Sequence, residues 1–226
     1  MHPDINRQRT SSAFRPSQTV LRATTLFLTL TMACSMAMAQ VRPDALKMYR
    51  EGRFEEARTT CLTEIAADPG NIESYVVLVW SLLSLERYAD AEIYAKRAYT
   101  TVRKDARIVE SLGEAAYYQG KNEQALAYFM DYVNLLPDGA RLGQVYYLTG
   151  ETYLRLVKLQ HADIAIRTAL QYEPKNARWW TRLGYVRERD SDWSYALEAY
   201  EAALLINPGL VDALRGKERV LARVRR

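Results

Sequence analysis

Cysteine and histidine are scarce in this chain, with two of each among 226 residues. Metal and redox sites draw on clusters of those side chains at set spacings, and there is no HExxH and no paired CxxC. A GxSxG elbow and a phosphate-binding glycine loop are missing as well, so the hydrolase and nucleotide chemistry those motifs support has no foothold. Long apolar runs are also lacking. The one candidate, "ATTLFLTLTMACSMAMA", carries four Thr and a Ser and falls short of the ~20 apolar residues a spanning helix needs. Ten glycines and seven prolines fall mostly at regular intervals, which favours helices with short punctuating turns. What is present is a globular balance of 49% apolar and 26% charged residues, with sixteen Tyr and four Trp.

Arg7, Arg9, Arg15 and Arg22 precede the apolar stretch, which ends in Ala37-Met38-Ala39. This is the pattern of a secretory signal peptide. The expectation is a signal over residues 1–39, cleavage before Gln40, and export to the periplasm or envelope of a bacterial cell. An uncleaved anchor is the alternative, and Val20 is a candidate for the true start because the segment after it is a compact signal by itself. "LTMAC" also resembles the lipobox ahead of a lipidated cysteine, with Thr31 where Leu is usual, which makes Cys34 a candidate lipidation site. Once the leader is gone Cys61 is the sole thiol, and no intrachain disulfide can form.

Loss of the leader removes four Arg and one Asp, so the formal charge of +4 falls to about +1. From Val211 onward six basic residues face only Asp212 and Glu218, which leaves a mildly acidic body and a basic tail. Such a tail suits an anionic membrane surface or an acidic partner. It has the charge to neutralise phosphates, but export argues against nucleic acid.

Internal repetition organises the rest. Ala57, Ala91, Ala125, Ala162 and Ala196 are separated by 34, 34, 37 and 34 residues. Four residues after each stands Cys61, Ala95, Phe129, Ile166 or Tyr200, and twelve after each stands Pro69, Arg103, Pro137, Pro174 or Pro208. Upstream recur Tyr75-x-x-Leu78, Val109-x-x-Leu112-Gly113, Tyr146-x-x-Thr149-Gly150-x-x-Tyr153 and Trp180-x-x-Leu183-Gly184, spacings that share one helical face. Over residues 40–210 the chain resembles the tetratricopeptide repeat family, a 34-residue helix-turn-helix unit with this signature. The resemblance implies an all-α, right-handed superhelical solenoid with a C-terminal capping helix. Its divisions are a degenerate first repeat at 40–71, further repeats at 72–105, 106–139, 143–176 and 177–210, and a basic capping helix at 211–226.

A lone helical hairpin cannot bury both apolar faces and must stack on its neighbours. The small residue at each alanine position, and Gly113, Gly150 and Gly184 opposite, admit close helix approach, while a large aromatic such as Trp180 is expected to fill the seam between hairpins. Proline ends the second helix of every repeat except the second, which has Arg103. Three extra residues between the third and fourth repeats, in "LPDGARLGQ", predict a bent or mobile junction. The final helix is expected to pack through Leu214, Val220, Leu221 and Val224.

In that family a second stripe on each first helix lines a concave groove where peptides lie. Carried onto this chain it comprises Val76, Trp80 and Leu83, then Glu110, Glu114, Tyr117 and Tyr118, then Gln144, Tyr147 and Glu151, then Arg178, Thr181, Tyr185 and Glu188. Glu73, Ser84, Arg107, Leu154, Arg155 and Arg189 adjoin them. Exposed aromatics are favoured binding anchors, and Glu110, Glu114 and Glu151 would form an acidic cluster. The expected ligand is a protein or peptide segment with apolar and basic residues, docked in an extended or helical form. Trp80 and Tyr118 have the alternative of packing against the adjoining helix. Val76, Trp80, Glu110 and Glu114 occupy the positions where some family members clamp a terminal carboxylate, so binding of chaperone tails is not expected.

Catalysis has little to rest on. His161 reads as a lone surface histidine, and Glu110 with Glu114, one turn apart, is the only acid/base pair in sight. The sequence points to a non-enzymatic interaction module without cofactor or metal. The alternatives are a lipid-anchored envelope factor of the outer-membrane or pilus assembly type and a self-associating homo-oligomer.

Overall fold

The computed structural model describes residues 44–101 and 104–225. The leader, its cleavage site, Cys34 and Arg103 lie outside the described residues. Among those described there are eleven helices and no strand: α1 (Ala45–Arg50), α2 (Phe54–Ala67), α3 (Ile72–Ser84), α4 (Tyr88–Thr101), α5 (Ala106–Tyr118), α6 (Asn122–Leu135), α7 (Leu142–Arg155), α8 (Leu159–Tyr172), α9 (Ala177–Arg189), α10 (Trp193–Ile206) and α11 (Val211–Val224). They form five hairpins, α1/α2 through α9/α10, and α11 closes the stack. Among the described residues no helix is long and apolar enough to cross a membrane.

Short polar side chains start the first helices. Asp44, Asn71, Asp105 and Asn176 accept hydrogen bonds from the backbone N–H groups of Lys47, Ser74, Arg107 and Trp179 at 3.0, 3.2, 2.9 and 3.3 Å. Each satisfies a donor that the helix leaves open. The turn to the second helix puts one residue in the left-handed region in every hairpin: Gly52, Glu86, Gly120, Val157 and Ser191. Two are glycine; the exposed, β-branched Val157, at φ 58, sits there at a cost of roughly 1–2 kcal/mol. Pro69, Pro137, Pro174 and Pro208 follow two residues after α2, α6, α8 and α10 end.

The five repeat alanines are all fully buried. Within each hairpin the bulk is traded between helices at equivalent positions. A Cβ on Gly113 would meet Phe129 at 2.5 Å, on Gly150 Ile166 at 2.5 Å, and on Gly184 Tyr200 at 2.8 Å. In the second repeat the trade reverses, with Val79 on the first helix and Ala95 on the second, both solvent-inaccessible. Interiors close-pack, so a larger side chain on one wall requires a smaller one opposite.

Two expectations about packing change. Trp179, not Trp180, fills the seam between the fourth and fifth repeats: it is 5% exposed and stacks on Tyr147 at 5.0 Å between ring centroids. Trp180 is half-buried and its indole N–H donates to the Pro174 carbonyl at 2.8 Å. The capping helix docks through Ala213, Gly216 and Val220, while Leu214 and Val224 are exposed. The missed residue is Gly216, where a Cβ would fall 2.2 Å from Cζ of Tyr200; the Tyr200 ring therefore lies between Gly184 and Gly216. The junction before α7, expected to be bent or mobile, contains a hydrogen-bonded turn. The Leu136 carbonyl accepts from Gly139 N–H at 3.0 Å and the Gly139 carbonyl from Leu142 N–H at 3.1 Å, with Leu142 buried.

One polar cluster joins the second-helix layer. The buried Glu92 of α4 accepts from Lys96 and Lys121, each at 2.5 Å, and from the Gln119 amide at 2.8 Å. Burial opposes its ionisation, but these donors outweigh it and hold the carboxyl down to about 2.

Candidate partner-binding groove

The first helices lie side by side, α1 on α3, α3 on α5, α5 on α7, and α9 on α11. Arginines of later repeats bridge back to glutamates of earlier ones along this layer. Arg107 forks onto Glu73 at 2.8 and 2.7 Å. Arg141 reaches Glu110 with Nε and Glu114 with Nη2, the latter at 2.9 Å. Arg182 holds Glu151 at 2.5 and 2.8 Å, and Arg219 holds Glu188 at 2.7 and 2.8 Å. Paired forks of this kind fix orientation as well as charge.

The ladder divides the expected acidic cluster: Glu110 and Glu114 share Arg141, while Glu151 pairs separately with Arg182. Glu110 and Glu151 are buried, 3% and 8% exposed, and both are committed to arginines. Val76 is likewise a core residue, inaccessible among the N-terminal apolar side chains. Tyr117 is buried beneath Arg155, whose guanidinium sits 3.7 Å above its ring and donates to its carbonyl at 2.6 Å. Strict 34-residue periodicity places these side chains on the right helices, but it does not see the neighbour that covers them.

Of the other assigned residues, all but Gln144, Tyr147 and Glu188 line one of two bays. The first, about 610 Å³, has Trp80, Leu83, Glu110, Glu114 and Tyr118 on its walls together with Tyr49, Ser84, Glu86, Tyr88, Ser111 and Arg141. Trp80 is half-buried with its ring 5.7 Å from that of Tyr49, and Tyr118, 48% exposed, stacks on Tyr88 at 4.7 Å. Both aromatics pack on neighbours and still present a face to the bay. The second bay, about 580 Å³, lies between α9 and α11 and is lined by Arg178, Thr181, Arg182, Tyr185, Tyr200, Leu210, Asp212, Arg215 and Arg219. Tyr147, on the stretch between, is half-buried against Trp179, and burial pushes its hydroxyl up. Gln144 is half-buried near it in sequence, and Glu188 is drawn down by Arg219.

Electrostatically the first bay has one cation for two recessed carboxylates. Burial pushes Glu110 up to about 7, against the pull of Arg141 and with the help of its like-charged neighbour Glu114. Burial raises Glu114 as well. Periodicity missed Arg141 because it belongs to the three-residue insertion; the same insertion leaves α7 without a side-chain cap and turns the residue at that position back toward α5. Tyr49 and Tyr88 were missed because they come from α1 and from the start of a second helix.

Among the described residues no group of three or more His, Cys, Asp or Glu side chains could hold a metal. His161 is exposed beside Tyr153. Cys61 is buried and its thiol is pushed up to about 12 by burial, a state in which thiols are inert.

A family model described as tetratricopeptide repeat matches residues 76–140 and 147–210, more than half of the chain. The chain belongs to the tetratricopeptide repeat family. The BBSome complex member bbs-4 of Caenorhabditis elegans is 28% identical over 102 residues, 45% of this chain and 21% of that protein. The chain thus spans about a fifth of that relative. Among solved structures, the APC/C hetero-tetramer Cut9-Hcn1 superposes with a TM-score of 0.69 at 19% identity, covering 78% of this chain and 35% of that one. YrrB, described as a TPR protein with an unusual peptide-binding site, gives 0.65 at 18% identity over 77% of this chain and 88% of its own. These likenesses establish the fold, a tetratricopeptide repeat solenoid, and with the family they make the chain a protein-protein interaction scaffold.

Proposed function

We infer that the chain is an exported, non-enzymatic scaffold that holds a segment of a partner protein along the inner face of its first helices. The observation that carries this reading is the first bay, where Tyr49, Trp80, Tyr88 and Tyr118 surround an incompletely neutralised pair of glutamates. Aromatic walls anchor apolar side chains, and the surplus carboxylate favours a lysine or arginine on the same segment. The signal-like residues 1–39 support a location in the periplasm or envelope. A second reading, a lipid-anchored envelope assembly factor, rests on Cys34 in "LTMAC"; mass spectrometry of the mature N-terminus separates cleavage before Gln40 from a lipidated Cys34. Self-association and membrane contact through α11 are further outcomes that light scattering and vesicle sedimentation would detect.

The groove reading is tested by capturing partners from envelope extracts with the wild-type chain and with Tyr118→Ala, a half-exposed position whose loss leaves the core intact. A partner retained by the wild type and lost by the variant supports the groove. Identical partners for both would move the working surface elsewhere.

A further inference from the structure

The arginine ladder leaves two members over. Arg107 pairs with Glu73, 34 residues earlier, but the residue 34 before Arg178 is the uncharged Gln144 and the residue 34 before Arg215 is Thr181. Neither Arg178 nor Arg215 has an ion-pair partner among the described residues, and both line the bay between α9 and α11. Arg182 and Arg219 in the same bay are already neutralised by Glu151 and Glu188, and Asp212 offsets one more charge. What remains is a single net positive charge on two guanidinium forks, beside the tyrosines Tyr185 and Tyr200.

We propose that this bay is an anion subsite for one aspartate or glutamate side chain of the same partner segment whose basic residue occupies the first bay. The groove is then charge-polarised, acidic at α5 and basic at α9 and α11, so it takes a segment in one direction only. A single surplus charge matches a carboxylate better than a phosphate dianion, and a planar fork matches carboxylate geometry. The basic tail therefore contributes to the groove through Arg215 and need not act as a separate patch. With neighbouring helices about 8–10 Å apart, three helix spacings, roughly 25 Å, separate the two bays, which about eight residues of extended chain span.

This inference rests on the groove reading above. The test is selection of a displayed random twelve-residue peptide library on the full chain, followed by titration of the enriched peptides. The expected result is enrichment of Asp or Glu about eight residues from a Lys or Arg flanked by apolar anchors. Peptides with the acidic residue changed to its amide should bind roughly tenfold more weakly, the loss of a charged hydrogen bond. Arg178→Glu with Arg215→Glu, both at exposed positions, should abolish the acidic preference or invert it to basic. Acid enrichment absent from the wild-type selection, or unchanged in the double variant, would overturn the subsite. So would a double variant that keeps the peptide preference but loses binding to phosphatidylglycerol vesicles, since the bay would then serve a lipid surface. Peptides that bind Tyr118→Ala as tightly as wild type would instead remove the groove reading itself.

Discussion

Two buried carboxylate clusters in this solenoid are built to opposite ratios. Glu92, in the second-helix layer, has two lysines and a glutamine amide around one carboxylate. Glu110 and Glu114, on the wall of the first bay, have one arginine between two carboxylates. The first cluster is complete and its carboxyl is held at about 2, while in the second Glu110 is pushed up to about 7. The donors around Glu92 close its charge, whereas Glu110 and Glu114 share a single arginine.

The largest perturbation should come from Arg141→Ala, which strands two recessed glutamates. At pH 8 the loss should be about 2 kcal/mol, below the range for a fully buried pair because the Arg141 side chain is 54% exposed, and it should shrink at pH 5, where protonation relieves the repulsion. Urea unfolding at both pH values measures it, and an equal loss at both would remove the asymmetry between the clusters.

Next in size is the pH profile. Between about 4.5 and about 7 the folded chain keeps a proton on Glu110 that the unfolded chain has released. Stability should thus fall as pH rises through that window, at up to about 1.4 kcal/mol per pH unit for one proton. Glu110→Gln should flatten this fall; a slope unaltered in the variant would assign it to another group.

Glu92→Gln comes third, at about 1–2 kcal/mol, because the half-exposed lysines left behind can return to water. That loss should be constant from pH 5 to 8. Glu92 ionises with stability gained above the unfolded value near 4.5 and lost as pH falls toward about 2, outside that range. The smallest change, Val157→Gly, touches neither cluster. Relief of the left-handed turn should raise stability by about 1 kcal/mol, partly offset by glycine's chain entropy, with the pH profile unmoved. Thermal unfolding at two pH values checks both points.

The repeat length, the helix pairing and the buried alanines were legible in the sequence because they are local and periodic: Ala57 through Ala196 recur on one face, and that face can only be a seam. The groove was legible in part. Tyr118, Trp80 and Leu83 line the bay as their register predicts, and Glu110 lines it while paired to Arg141, yet Val76, Tyr117 and Glu151 are covered by side chains from other helices. An Arg 31 residues after each of Glu110, Glu151 and Glu188 was visible in the letters, but nothing in a periodicity of 34 marks that offset as a contact.

By itself the sequence determined that this chain stacks helical hairpins, since 3.6-residue faces and turn residues act over a few positions and tolerate no other period. Only the tertiary structure decided which wall of each hairpin carries the bulk, which tryptophan enters the seam, and which glutamates are spent on neighbouring arginines. Those choices depend on the distance and angle between helices one repeat apart, and a side chain's reach across that gap is written in no single segment of the chain.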